Sequence, residues 1–345
     1  MFSRLLLPMG SLLLLLSGCD SAVNFRLPAP TPSSGGALTL ELVETGPAAV
    51  LEPRAPGEFD SVDVLNPSVF RGPDGKYWNL YSGFDGKTWR TGLAVSETGA
   101  AWTKKGSVLS PDPAGWEGDD YSAANGSALR TDDGEILCWY QAGRVGGRTG
   151  PQIGLARSRD GKTWTKSAAA VLRPGPYRSW DERGVADPYV IRAGGSYYLY
   201  YTGLDRAQRQ QLGVARSSDG VHWEKSAANP VLALGDHGEL EEGGLGEPAV
   251  FEAGGTYWML YTGRVWDEQR RLGLARSPDG IHWTRMPGWT FAGREAWDAK
   301  VVCDPTVEVE PDGLVRVWFG GGDVASPDER LHGRIGVATF RVTNP

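Results

Sequence analysis

Cysteine and histidine are scarce in this chain of 345 residues, which holds 3 of the first and 4 of the second. That scarcity excludes a disulfide framework, and no His/Cys cluster has metal-ligand spacing, so no protein zinc site is expected. Long basic runs are missing too, and the formal charge is −7. Phosphate backbones need clustered Lys and Arg, so no nucleic-acid partner is expected. No apolar run is long enough to cross a bilayer comfortably; the one candidate, Leu5 to Leu16, is too short.

That run follows Arg4 and ends in Leu16-Ser17-Gly18-Cys19. The pattern resembles a bacterial lipoprotein signal. The resemblance implies that residues 1–18 are removed and that Cys19 becomes a lipidated first residue, anchoring the chain in the cell envelope outside the cytoplasm. Asp20 resembles the inner-membrane retention signal of enteric bacteria; inner and outer membrane both stay open. An ordinary secretory signal is the plainer alternative. The stretch SAVNFRLPAPTPSSGG lacks periodicity and is rich in Pro, Ser and Gly, so residues 19–36 read as a lipidated Cys and flexible tether. The folded part is then 37–345. Cys138 and Cys303 are expected as unpaired core residues.

What the chain has in quantity is glycine, 48 residues, and tryptophan, 14. They are distributed in a pattern written five times. LNPSVFRGPDGKYWNLYSG, NGSALRTDDGEILCWYQAG, ADPYVIRAGGSYYLYYTG, GEPAVFEAGGTYWMLYTG and CDPTVEVEPDGLVRVWFGG align, and a second line such as LGVARSSDGVHWEKSAANPVL follows the first four. Short runs rich in Val, Tyr, Trp and Leu, separated by Gly-Gly and Asp-Gly turns, give four strands per repeat. Four-stranded repeats of this length predict an all-β fold, a five-bladed β-propeller with four antiparallel strands per blade. Repeat five lacks its last strand, and LTLELVETGPAAVLEP at the other end of the chain aligns with it. The N-terminal strand is therefore expected to join blade five and close the ring. The recurring Ser-x-Asp-Gly-x-x-Trp, with His222 and His282 inside it, belongs to hairpin turns on the face away from the start of each first strand.

A residue that recurs in every repeat serves the scaffold; one that varies at an equivalent axial position is free to serve a site. Asp60, Asp119, Asp181, Glu241 and Asp298 stand six residues before each key position and are expected to be structural. The key positions themselves read Asn66, Asn125, Asp187, Glu247 and Asp304, at spacings of 59, 62, 60 and 57 residues. They lie where strands converge on the axis and should meet in one pocket.

Asp187-Pro188 and Glu247-Pro248 resemble the motifs of the five-bladed glycoside hydrolases of families 43 and 32 and their relatives. The resemblance covers about 305 residues in architecture, from 37 to the chain end. It implies Glu247 as general acid toward the leaving-group oxygen and Asp187 as the residue that tunes its pKa and contacts the sugar. Glycosidic cleavage needs one protonated and one ionised carboxyl group, and crowding carboxylates raises one pKa. Asn66 departs from the family, which places a carboxylate there. Asp63 or Asp304 could supply it. Alternatively, the chain resembles the family 130 mannoside phosphorylases, in which phosphate attacks and Arg144 and Arg264 would hold it. A non-catalytic glycan-binding propeller is the remaining alternative.

The expected ligand is an oligosaccharide or polysaccharide, with Asn66 and Asn125 on its hydroxyls. Trp266, Trp180 and Trp297, together with Trp116, are candidates to stack on sugar faces. A wedge between blades is the competing reading for Trp116, Trp180 and Trp297. No cofactor is predicted, a bound Ca2+ stays open, and a monomer is expected.

Overall fold

The computed structural model describes residues 22–30, 38–144, 147 and 150–343, all-β with no helix among them. Cys19 and the signal-like stretch lie outside the described residues. Each sequence repeat folds as an antiparallel meander. Repeat one runs through Asp63–Leu65 with Val69–Arg71, then Tyr77–Phe84, Trp89–Ser96 and Thr103–Leu109. Repeat two uses Ser122–Arg130, Ile136–Ala142, Gln152–Ser158 and Thr165–Lys166; repeat three uses Gly184–Ala193, Ser196–Leu204, Gln210–Ser217 and Glu224–Lys225. Repeat four uses Gly244–Ala253, Thr256–Arg264, Arg270–Ser277 and Thr284–Phe291. Repeat five has Val301–Val309, Leu314–Gly322 and Arg334–Thr343, and the N-terminal strand Thr39–Thr45 pairs antiparallel with the last of these, Leu40 opposite Val342.

The strands do not separate into five four-stranded sheets as expected. Short parallel bridges, Trp89–Ser122 with Arg90–Ala123 and Arg270–Val301, fuse neighbouring meanders into sheets of nine and eight strands, and repeat three alone keeps a sheet of four. Inner strands converge at one end, and there the backbones come close enough to bond.

Burial follows the order of the strands. Second strands are packed on both faces, so Tyr77–Phe84 and Ile136–Ala142 are buried at every residue. The outer Thr103–Leu109 alternates exposed and half-buried until its last residue, as an edge strand with one wet face should. Trp139, Trp258 and Trp318 are wholly buried. Three bonds of one kind lock successive repeats: Trp139 Nε1 donates to Gly220 O at 2.8 Å, the Tyr200 hydroxyl to Gly280 O at 2.8 Å, and Trp318 Nε1 to Gly99 O at 2.7 Å. The last of these joins repeat five to repeat one.

The Ser-x-Asp-Gly-x-x-Trp stretches are turns, as expected. Asp160 Oδ1 accepts the amides of Lys162 and Thr163, each at 2.8 Å, and Ser158 Oγ that of Gly161 at 2.9 Å. Cys138 and Cys303 are free and buried.

Residues 22–30, within the stretch read from sequence as a flexible tether, make packing and backbone contacts with the fold. Phe25 and Leu27 are buried in the cluster between repeats three and four. Val23 bonds to the backbone of Lys225 and Ala227, Leu27 N donates to Asp279 O at 3.0 Å, and the Tyr257 hydroxyl donates to Pro28 O at 2.8 Å. Residues 22–30 read AVNFRLPAP, and Phe25 and Leu27 supply the large apolar surface that docks the segment.

Candidate active site

The five key residues share a backbone conformation that ordinary side chains avoid. Asn66, Asn125, Asp187, Glu247 and Asp304 have φ of 46, 48, 48, 53 and 51°. Each costs about 1–3 kcal/mol and persists only where its surroundings hold it. In repeats two to five the pairing register slips at this point, as between Ala186 and Tyr189, and in repeat one the first strand is interrupted there. A bulge re-aims a side chain, and here the five turn toward one another.

Neighbouring repeats satisfy the amides freed by the bulges. The second strand of the preceding repeat presents an acceptor: Ser82 Oγ takes Asn125 N at 2.9 Å, Gln141 Oε1 takes Asp187 N at 3.3 Å, Thr202 Oγ1 takes Glu247 N at 3.1 Å and Thr262 Oγ1 takes Asp304 N at 3.3 Å. The equivalent residue of repeat five is Gly320, paired with Cys303, and it has no side chain to offer. Asp304 fills the gap itself. Its Oδ2 takes Asn66 N at 3.4 Å and its Oδ1 takes Asn66 Nδ2 at 2.5 Å.

Three of the five are carboxyl groups close enough for the charge of Glu247 to act on the other two. Glu247 Oε2 accepts the amide of Asp304 at 3.0 Å, and Asn125 Nδ2 donates to Asp187 Oδ1 at 3.3 Å. Burial first, then the charge of Glu247, pushes Asp187 up to about 7, against the hydrogen bonds from Asn125 and Thr202 and the charge of Arg270. The same two causes hold Asp304 well above the ordinary carboxylate range. The set therefore keeps at least one proton near neutral pH, beside the buried cation of Arg270.

These residues floor an open cleft of about 910 Å³, mouth included, whose walls carry Arg144, Arg264 and Arg270. Arg264 Nη2 donates to Gln210 Oε1 at 3.1 Å, and the Arg144 guanidinium lies 4.7 Å from the ring centre of Tyr121. The structure thus brings Asn66, Asn125, Asp187, Glu247, Asp304, Arg144 and Arg264 to one cleft.

Four candidates lie elsewhere. Asp63 is fully buried, and its oxygens take the amides of Arg330 at 2.5 Å and Gly333 at 2.8 Å; preceding the bulge by three residues, it points away from the axis. Trp180 packs on Tyr201 and covers Gly203 and Gly213, while Trp297 stacks on Phe319 at 6.0 Å. Each packs on the strands of its own repeat, as Trp116 does on Tyr140 and Gly154. Trp266 is 71% exposed and outside the cleft, because its loop turns to solvent.

The upstream acids are scaffold. Asp60, Asp181 and Glu241 bind the hydroxyls of Tyr81, Tyr201 and Tyr261. In repeat two Glu117 takes the Tyr140 hydroxyl, and Asp119 caps the amide of Tyr121, as Asp298 caps that of Glu295 in repeat five; both are structural roles, as expected.

Trp89, Gln210 and Arg270 are cleft residues the sequence reading missed. They begin the third strands, at a position that varies from repeat to repeat, so the rule that found the axial ring would have found them too. Tyr121, four residues before Asn125, stands where the other repeats have Val62, Arg183, Gly243 and Lys300, so it was legible by the same rule; Asp328 sits on a connection that matches no repeat and left no such signal.

Glu247, Cys303 and Asp304 bring donor atoms within 4.8 Å of one another. They suit a metal poorly. The Cys303 thiol is pushed well above its ordinary value by burial and by Asp304, and both oxygens of Asp304 are already engaged. Calcium takes six to eight oxygen ligands.

The family described as "Glycosyl hydrolases family 32 N-terminal domain" matches residues 76–227 and 176–319. An uncharacterized protein of Mycobacterium tuberculosis is 31% identical over 235 residues, 64% of this chain and 75% of that one. A 1,2-beta-oligomannan phosphorylase of a Thermoanaerobacter species is 30% identical over 125 residues, 33% of this chain and 41% of that one. Among solved structures, one described as a glycoside hydrolase superposes with a TM-score of 0.66 at 19% identity, covering 86% of this chain and 92% of its own. A structure from the family 130 mannoside phosphorylases, which include glycoside hydrolases, superposes at 0.66 with 17% identity, covering 91% and 97%.

Proposed function

Because the chain belongs to the family of the glycosyl hydrolases family 32 N-terminal domain, we propose that it cleaves glycosidic bonds of an oligosaccharide or polysaccharide in the axial cleft. Glu247 protonates the leaving-group oxygen, and Asp187 shares and tunes that proton. The observation that carries this reading is the coupled carboxyl set, which holds a proton near neutral pH beside an exposed cleft. Tyr121, half-buried in the cleft wall beside the largely buried Trp89, provides the apolar surface on which a sugar ring stacks. The test is a panel of oligosaccharides and aryl glycosides. Glu247→Gln should lose turnover and keep sugar binding by calorimetry; a wild type that binds glycans but cleaves none is a lectin-like module, and the enzymatic reading is then discarded.

Phosphorolysis is the second reading, favoured by one feature. Arg144, Arg264 and Arg270 line the cleft, and the repeat-one position holds Asn66, which cannot take a proton from water. Turnover that needs inorganic phosphate would establish it; equal rates without phosphate would dismiss it.

The five meanders are proposed to close into a five-bladed ring, supported by the bonds from repeat five to repeat one at Trp318–Gly99 and Asp304–Asn66. The chain is further proposed to be a monomeric envelope lipoprotein lipidated at Cys19, on its signal-like sequence. Incorporation of labelled palmitate by the wild type, lost in Cys19→Ser, tests the anchor.

A further inference from the structure

Hydrolysis by water needs a second carboxylate, ionised and open to solvent, and the axial ring offers none that is free. Asn66 and Asn125 are amides. Asp304 turns both oxygens to Asn66 and the Cys303 thiol. Asp63 is buried away from the cleft. With Glu247 as the acid and Asp187 bonded to Asn125 as the residue that tunes it, one acid remains among the residues that line the cleft. Asp328 is exposed, and its carboxylate has no hydrogen-bond or ion-pair partner among the described residues.

Asp328 sits on the segment joining Leu314–Gly322 to Arg334–Thr343, and that segment is held at both ends. Arg270, on repeat four, donates through Nη2 to Ser326 O at 3.0 Å and to Pro327 O. Asp63, on repeat one, takes the amides of Arg330 and Gly333. Between these anchors the Tyr121 hydroxyl reaches Glu329 at 3.5 Å. The segment therefore spans from the seam of repeats four and five to repeats one and two. Asp328 arrives near enough to Tyr121 for its charge to act on the phenol, on the wall of the cleft that Asn66 also lines.

Resting on the hydrolytic reading above, we infer that Asp328 is the general base of the cleft, held by Arg270 and Asp63 as positioning residues. Asp328 takes a proton from water as the water oxygen bonds to the anomeric carbon. The glycosidic C–O bond breaks, its electron pair goes to the leaving oxygen, and Glu247 supplies the proton there. Direct displacement inverts the anomeric centre.

The experiment compares Asp328→Asn and Glu247→Gln with the wild type on an unactivated oligosaccharide and on an aryl glycoside with an acidic phenol, with proton NMR of the first-formed sugar. Loss of the base should lower kcat by roughly a hundredfold or more on both substrates, since a good leaving group does not help water attack. Loss of the acid should be largely relieved on the aryl glycoside. Asp63→Asn should raise KM and lower kcat while keeping the pH profile, as expected of a residue that acts through the segment. Inversion is expected. A wild type that turns over while Asp328→Asn stays within about threefold of it, or a retained anomer, overturns this inference alone. A wild type inert on the whole panel overturns the hydrolytic reading with it.

Discussion

Asp187 is costly to keep where it is, and that cost can be measured. A carboxyl raised to about 7 in the folded chain holds a proton that the unfolded chain, near its ordinary value, has already released. Between about pH 4 and pH 7 the native state binds more protons, so stability falls as pH rises through that window, and the loss is complete above it. Its ceiling is roughly 4 kcal/mol, at 1.36 kcal/mol per unit. Asp187→Asn should thus melt at a higher temperature than the wild type at pH 8, match it near pH 4, and lose turnover. Equal melting curves at pH 8 would show that the carboxyl is not raised.

For strands and their connections, glycine and tryptophan form one device. A Cβ on Gly203 or Gly213 would collide with Trp180, and one on Gly321 or Gly336 with Trp297. Each indole occupies the room two glycines leave on adjacent strands. Trp180→Ala should therefore cost about 3 kcal/mol in chemical denaturation and leave KM for any cleaved glycoside unchanged. Trp89→Ala is expected to act on both, costing about 3 kcal/mol because the ring is buried against Phe84 and raising KM by about tenfold because it also lines the cleft. The tryptophans of the connections could not be sorted from sequence, because recurrence is compatible with both roles. Their packing differs: Trp180 and Trp297 lie over the rings of Tyr201 and Phe319, and Trp266 is largely exposed.

At the scale of the molecule, both docked parts of the N-terminal region matter. A chain starting at residue 31 loses Phe25 and Leu27 from the core between repeats three and four. Two large buried side chains are worth about 3–6 kcal/mol, and thermal unfolding of that truncation should show the loss. Removing Thr39–Thr45 as well strips the partner from Arg334–Thr343 and exposes a sheet edge, so light scattering should reveal aggregation on warming. A truncation that starts at residue 31 and melts with the full chain would mean that the contacts of residues 22–30 add nothing.

Periodicity in the sequence determined the strands, the turns, the borrowed N-terminal strand and the ring of varying residues, because each depends on local pattern repeated at a fixed interval. The tertiary structure decided what each member of that ring can do. Gly320 lacks a side chain, so Asp304 leans to Asn66 and is no free base; Asp63, three residues from the axis, faces a loop instead of the cleft. It also decided the walls. Asp328 comes from a connection with no repeat register, and only the packing of distant segments, Arg270 against Pro327 and Asp63 against Gly333, brings it to the cleft. Side-chain direction at a bulge and contacts between remote loops depend on three-dimensional neighbours, which a repeat pattern does not encode.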